Sequence, residues 1–308
     1  MHTIFHTSGV LMTDINNVVV IGSGTMGSQI GMVAALSGYN TTIVDISQEA
    51  LDRAEDMLRS RMARDVEKQR RTQEDVDAAF ARLRLLTDQA EAVKDADIVI
   101  EAAIEDLEIK RKIFTQLDEQ TPEHTILATN SSNIVSSQLV EATKRPDKVC
   151  NMHFFNPVLV LKACEIVSNE HTSAETMDAV ETLARKMNRD VIRMDKEIPG
   201  FVANRLLNAL RREALELYQG GYASFEDIDL AAKSALNHPM GPFELMDLVG
   251  VDVVYLIRKA EFEQTGDPAS LPSPAVEKLY NEGRYGKKSG RGWYEYDAQG
   301  RKVRAITD

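Results

Sequence analysis

The stretch Asn17–Asp45, NVVVIGSGTMGSQIGMVAALSGYNTTIVD, decides how the rest of the chain is read. It opens on Val18-Val19-Val20-Ile21, a short β-branched run of the kind that forms a strand buried on both faces. The turn Gly22-Ser23-Gly24-Thr25-Met26-Gly27 follows directly and runs into an apolar helical pattern, and a second β-branched run, Thr41–Val44, ends at Asp45. This predicts a βαβ unit in which Gly22 makes the tight turn, Gly24 lets the backbone approach a pyrophosphate, and Gly27 lets helix and strand pack closely. Ser23, Thr25 and Met26 complete a phosphate turn whose free N–H groups and helix dipole favour an anion. Asp45 falls where a carboxylate can accept from both hydroxyls of a ribose. Ile46-Ser47-Gln48 supplies no arginine for a 2′-phosphate, which Asp45 would also repel, so the pattern predicts NAD rather than NADP. A glycine turn that binds nothing is the bland alternative; the acid and both strands argue against it.

The totals bound the rest. A chain of 308 residues, 43% hydrophobic and 27% charged, has room for one large domain or two ordinary ones. Its net charge of −12 argues against nucleic acid or an anionic membrane as the main partner. No apolar run reaches the roughly 18 residues of a membrane span. Residues 1–14 lack the basic start and apolar centre of a signal peptide and read as a loose N-terminal extension. Cys150 and Cys164 lie in apolar runs without metal-type spacing, which reads as two reduced core thiols in a cytoplasmic protein.

Beyond Asp45 the pattern is helical with Leu51, Ala54, Leu58, Met62 and Val66 on one face, then helical again from Thr72, with Asp75 at a capping-box position and Val76, Phe80 and Leu83 as the stripe. These form a helical hairpin inserted in the α/β pattern. Its outer side carries Arg59, Arg61, Arg64, Lys68, Arg70 and Arg71, either for a phosphate-bearing ligand or as a face neutralised by Glu55, Asp56, Asp65 and Glu67. Strands are expected at Ile98–Ile100, Ile126–Thr129, Lys148–Met152, Ala163–Val167 and Val191–Met194, with helices at Leu107–Gln120 and after Ser173. Pro199-Gly200 ends the alternation. Helices then follow at Phe201–Gln219, Ser224–Leu236, Glu244–Gln264 and Pro274–Asn281. The expected architecture is α/β: a Rossmann-type, doubly wound, mostly parallel sheet over residues 15–198, then an all-α domain over 199–308.

His153 ends an expected strand in Met152-His153-Phe154-Phe155-Asn156-Pro157, on the sheet edge where ligands of open α/β sheets bind. Glu165, in the next strand-like run, has apolar neighbours and needs a partner to offset its desolvation. A His–carboxylate pair beside a nicotinamide makes a general base for alcohol oxidation, though the same spacing fits a hydrogen-bonded core pair. His238 reads as a turn residue, and His2, His6, His124 and His171 as surface or loop. No HExxH or CxxC spacing occurs, so no metal is expected.

Seven blocks in order, GSGTMG, IEAAIE, ATNSSN, MHFFNP, PGFVANRLL, NHPMGPFELMDLVG and GKKSGRGWY, resemble the L-3-hydroxyacyl-CoA dehydrogenase family, most of all its short bacterial 3-hydroxybutyryl-CoA members. The resemblance runs from about Val18 to Tyr296. It implies reversible NAD-dependent oxidation of a short (S)-3-hydroxyacyl-CoA, with His153 as catalytic base and Glu165 as its partner. Ser132 would hydrogen-bond the substrate oxygen and touch the cofactor, and Asn204 would help place the substrate. Glu105 and Lys110 would line the cofactor cleft, with Asn156 beside the nicotinamide and Lys288 approaching it. Lys68 would meet the CoA phosphates, and the helical domain would build a homodimer. Two departures, Asn133-Ile134 for Ser-Leu and Val158-Leu159-Val160 for x-Pro-Val, bear on acyl preference rather than on the reaction. The alternatives are a dehydrogenase of a CoA-free hydroxy acid, of carnitine or gulonate type, and a non-catalytic NAD-binding protein.

Overall fold

The Val18–Ile21 run lies in β1 (Asn17–Ile21), where side chains alternate between two cores: Val18 and Val20 pack into one, Val19 and Ile21 into the other. Burial on both faces requires layers on both sides of the sheet. The structure, a computed structural model, describes residues 15–306; the expected extension 1–14, with His2 and His6, lies outside the described residues. The chain divides into two units between Phe201 and Val202.

In the first unit, β1 is followed by α1 (Thr25–Leu36), β2 (Asn40–Val44), α2 (Gln48–Glu67), α3 (Gln73–Arg82), β3 (Leu83–Leu86) and α4 (Gln89–Val93). Then come β4 (Ile98–Glu101), α5 (Leu107–Gln120), β5 (Ile126–Thr129), β6 (Val149–Phe154), β7 (Ala163–Ser168), α6 (Ala174–Lys186) and β8 (Asp190–Met194). The eight strands are ordered β3-β2-β1-β4-β5-β6-β7-β8, and β6/β7 is the antiparallel neighbour pair. The order reverses direction between β1 and β4, which opens a crevice at their C-terminal ends. The expected hairpin is α2 and α3, with Ser47 capping the first and a Thr72/Asp75 capping box starting the second. It leads into β3, a strand that the sequence reading missed. Leu83 continues the helical stripe of α3, yet as a four-residue edge strand it pairs with β2 from Thr41↔Leu83 onward.

The second unit holds α7 (Ala203–Gln219), α8 (Phe225–Ser234), α9 (Pro242–Val249), α10 (Val251–Thr265) and α11 (Pro274–Asn281). Two expectations need correction. The single helix over Glu244–Gln264 is two, because Gly250 takes a φ of +110° that no helix continues through. The domain is helical but not all-α: β9 (Tyr294–Tyr296) and β10 (Lys302–Ala305) form an antiparallel hairpin too short to leave an alternating pattern. Buried Asp247 accepts from the N–H groups of Trp293 and Tyr294 and from the Tyr296 hydroxyl, tying the hairpin to α9. Asp229 does the same for the start of α9, accepting from the N–H groups of Phe243 and Glu244 and from the Tyr294 hydroxyl. Phe225, Phe243, Trp293 and Tyr294 pack edge-on or tilted around them.

Glu244 accepts from Lys233 at 2.8 Å, from Lys302, and from the N–H of Gly241 at 3.2 Å. Burial pushes its carboxyl up, but these bonds outweigh it and hold the group down at about 2. Its folded pKa is below its unfolded one, so its contribution to stability is full above pH 4.5 and is lost as pH falls toward 2. Thermal unfolding of wild type and Glu244→Gln should therefore diverge at pH 6 to 7 and converge in acid. A difference that does not change with pH would contradict this.

Candidate active site

The turn after β1 combines one crowded face with one open face. Gly22 has a φ of +101°, and a Cβ there would stand 2.7 Å from the Ala102 carbonyl oxygen at the end of β4. At Gly27 a Cβ would stand 1.9 Å from the Gly22 carbonyl oxygen, so neither position admits a side chain. Gly24 is different: nothing lies within 4 Å of its Cβ position. Gly24 is also the N-cap of α1, and no side chain caps that helix start. Ser23 is buried, Thr25 exposed and Met26 half-buried, so the turn presents backbone outward. An uncapped helix start behind an open glycine fits a pyrophosphate.

Asp45, at the end of β2, accepts from the Ser23 N–H (2.9 Å) and hydroxyl (2.8 Å) and from the Ser47 N–H (3.1 Å). Burial pushes its carboxyl up, but those bonds and the nearby Arg53 bring it below the usual range. A cleft of about 820 Å³ runs from Gly22 past Asp45 between Ile46, Arg53, Ala102 and Ile109. Ile46 is 98% exposed, an apolar side chain free to cover a planar base. A carboxylate at the ribose position and no basic side chain at Ile46-Ser47-Gln48 fit NAD.

Further along the same sheet edge, antiparallel pairing sets His153 of β6 directly opposite Glu165 of β7. The His153 Nδ1–H donates to Glu165 Oε2 at 2.8 Å, with His153 6% exposed and Glu165 fully buried. The rings of Phe155 and Phe201 stand 4.6 and 5.5 Å from the imidazole. With Nδ1 committed to the carboxylate, Nε2 carries the lone pair and can take a proton.

The loop after β5 separates its two serines. The Ser131 hydroxyl bonds Glu105 and accepts from the N–H groups of Asn133 and Ile134, so it is committed to the loop. Ser132 is half-buried, and its carbonyl accepts from the Gly200 N–H at 3.3 Å. Asn130 Oδ1 accepts from the Phe154 N–H, joining this loop to the end of β6. Glu105 is 41% exposed, whereas Lys110 is 1% exposed and lies 2.7 Å from Glu101 and 3.5 Å from Glu105. Lys110 thus stands behind Glu105 and holds it against the sheet. Asn156 is exposed just past β6.

Sequence reasoning missed Glu101, which is fully buried and also accepts from Thr129 (2.7 Å) and from the Ala103 N–H. The available signal was an acid ending an otherwise apolar strand, beside an expected lysine nine residues on. It also missed Glu197, which accepts from the Ser136 hydroxyl and the Ser137 N–H and anchors the serine loop. Cys150 and Cys164 are buried free thiols, and burial pushes both upward, Cys150 to about 12.

On the outer hairpin, Arg59 pairs with Glu55, and Arg61 and Arg70 flank Asp65; Arg64 bonds only Ser60, and among the described residues neither it nor Lys68 nor Arg71 has an ion pair. In the second unit, Asn204 lies half-buried in the first turn of α7, and Lys288 is paired with Asp252 at 2.6 Å.

Residues 17–198 match the model of the 3-hydroxyacyl-CoA dehydrogenase NAD binding domain, and residues 200–296 that of the 3-hydroxyacyl-CoA dehydrogenase C-terminal domain. The chain belongs to this family. A probable 3-hydroxybutyryl-CoA dehydrogenase of Bacillus subtilis is 38% identical over 92% of this chain and 98% of its own. The 3-hydroxybutyryl-CoA dehydrogenase of Clostridioides difficile is 39% identical over 91% and 99%. The crystal structure of (S)-3-hydroxybutyryl-CoA dehydrogenase from Ralstonia eutropha superposes with a TM-score of 0.83 at 36% identity, covering 92% of this chain and 99% of that one. The protein is an oxidoreductase of the 3-hydroxyacyl-CoA dehydrogenase type, and its cofactor is NAD.

The contrast between the glycines makes a prediction. Gly24→Ala should leave the melting temperature nearly unchanged and weaken NADH binding tenfold or more, because its Cβ meets only the ligand. Gly27→Ala should lower the melting temperature as well. Equal thermal losses in the two variants, measured beside NADH titrations, would contradict the assignment.

Proposed function

We propose that the chain catalyses reversible oxidation of a short (S)-3-hydroxyacyl-CoA to the 3-oxoacyl-CoA, with His153 as general base and Glu165 as its partner. The observation that carries this reading is the His153–Glu165 hydrogen bond at the ligand-binding edge of the sheet of an NAD-dependent dehydrogenase family. Gly22, Ser23, Gly24, Thr25, Met26 and Gly27 would hold the pyrophosphate of NAD and Asp45 its adenosine ribose. Glu105, steadied by Lys110, and Asn156 would serve the nicotinamide end, and Lys288 is assigned to the cofactor as well. When bound, NAD supplies the acceptor for the hydride that leaves the substrate carbon.

The remaining work falls to side chains. His153 Nε2 takes the hydroxyl proton, and Glu165 stabilises the imidazolium so formed. Ser132 donates to the substrate oxygen, with Ser131 excluded from that role by its bonds to the loop. Asn204 would help place the substrate. Phe155 and Phe201 exclude water around the imidazole, which strengthens each of these bonds. Lys68 and Arg71 support a CoA substrate, since with Arg64 they are the cations of that face without an ion pair among the described residues. The 3-hydroxybutyryl-CoA dehydrogenase names of the B. subtilis, C. difficile and R. eutropha relatives support the short acyl chain. Asn133, Ile134 and Leu159, which depart from the family's usual residues, are the positions where acyl preference would be tuned.

A homodimer through the second unit is part of the proposal, supported by Leu206, Ile257 and Leu256, which are 67, 55 and 48% exposed there. So is a cytoplasmic setting, supported by the reduced thiols; among the described residues no helix is long and apolar enough to cross a membrane.

Acetoacetyl-CoA should be reduced rapidly with NADH and free acetoacetate should not. His153→Gln should lower kcat by about 10²–10⁴-fold with NADH affinity retained. Turnover of carnitine or gulonate instead of acyl-CoA would replace the substrate class, and NADH binding without any turnover would remove the enzyme reading.

A further inference from the structure

The second unit buries a cation with almost nothing to neutralise it. Arg211, on the inner side of α7 beside buried Ala214 and Leu215, is 9% exposed. Among the described residues its one hydrogen bond runs from an Nη to Asn208 Oδ1 at 3.4 Å, a long bond to a neutral acceptor. Its Nε is buried without any acceptor. Arg211 lines a cavity of about 290 Å³ bounded by α7, α10 and the approach to α11, and Arg212, Arg258, Asn208 and Ser273 line it too. Arg258 is paired with Glu261 at 2.7 Å, and its positive charge acts against Arg211. Glu216 also lines the cavity, yet no ion pair within 4.0 Å joins it to Arg211 or Arg212.

A guanidinium taken from water without a counter-charge is costly to the fold, and a hydrophobic side chain of similar volume would suit a dry site better. A planar fork of five donors matches an incoming phosphate or carboxylate group. We propose that this cavity is an oxyanion site, in which Arg211 binds a phosphate or carboxylate group with Arg212 and Ser273 at the rim. It is built entirely within the second unit and uses none of the residues assigned to NAD or to proton transfer. The oxyanion has two possible sources, a free anion or a carboxylate side chain of a second copy of the chain.

The test is thermal unfolding with NAD saturating, so that the phosphate turn is already filled, while inorganic phosphate replaces chloride at constant ionic strength. It is run beside sedimentation of the same samples, on wild type, Arg211→Met and Arg211→Lys. A free anion predicts a saturable rise of several degrees in wild type, a weaker rise in Arg211→Lys, and none in Arg211→Met. A carboxylate from a second copy predicts no phosphate response, but self-association weakened tenfold or more in Arg211→Met and largely kept in Arg211→Lys. The proposal is overturned if Arg211→Met responds to phosphate as wild type does. It is overturned equally if neither the phosphate response nor self-association depends on Arg211.

Discussion

The hydrogen bond between His153 and Glu165 depends on one reversed strand. Were β7 parallel to β6, residue 165 would sit far from residue 153, because parallel neighbours need a long crossover between them. Reversal brings the start of β7 back against the end of β6, and the register puts the two residues face to face. Because both strands are buried on both sides, a slip of one residue would exchange the side chains packed on the two faces of the sheet, so close packing on either side enforces the register. The same burial keeps Glu165 from water and makes Nδ1–H its natural donor.

Around that bond the sheet edge is organised by polar groups that hold one another rather than solvent. Glu101 gathers Lys110, Thr129 and the Ala103 N–H; Glu105 gathers Ser131; Glu197 gathers Ser136 and Ser137. Each carboxylate fixes a loop leaving the C-terminal end of a strand. Such loops otherwise have little packing to fix them. The glycine turn after β1 achieves the same rigidity without charge, by removing side chains where backbone meets backbone at Gly22 and Gly27. Rigid placement before binding is what a proton acceptor and a hydrogen-bond donor need if both are to meet one substrate oxygen.

Most of the first unit was legible because its signals are local. The β-branched runs, the glycine turn, Asp45, and the caps Ser47, Thr72 and Ser173 each announce themselves within a few residues. β3 was not legible, because Leu83-Arg84-Leu85-Leu86 is short and starts on the stripe of the preceding helix. The β9–β10 hairpin was hidden for a related reason: Asp247, 46 positions from Trp293, anchors it. The apposition of His153 and Glu165 could be suspected from their types, but only strand direction decides it. The separation of Ser131 from Ser132 required Glu105, which lies 26 residues from Ser131. Arg211 looked like any charged residue on an amphipathic helix, since nothing in sequence says which arginine of a pair faces inward.

The central claim is that Glu165 holds His153 with Nδ1 protonated and Nε2 free to accept. Nitrogen-15 NMR of the imidazole, in wild type and in Glu165→Gln at neutral pH, reads this directly. The account predicts a proton on Nδ1 in a strong hydrogen bond and a bare Nε2 in the wild type, with that preference lost in the variant. A wild-type proton on Nε2, or a spectrum that Glu165→Gln leaves unchanged, would contradict it.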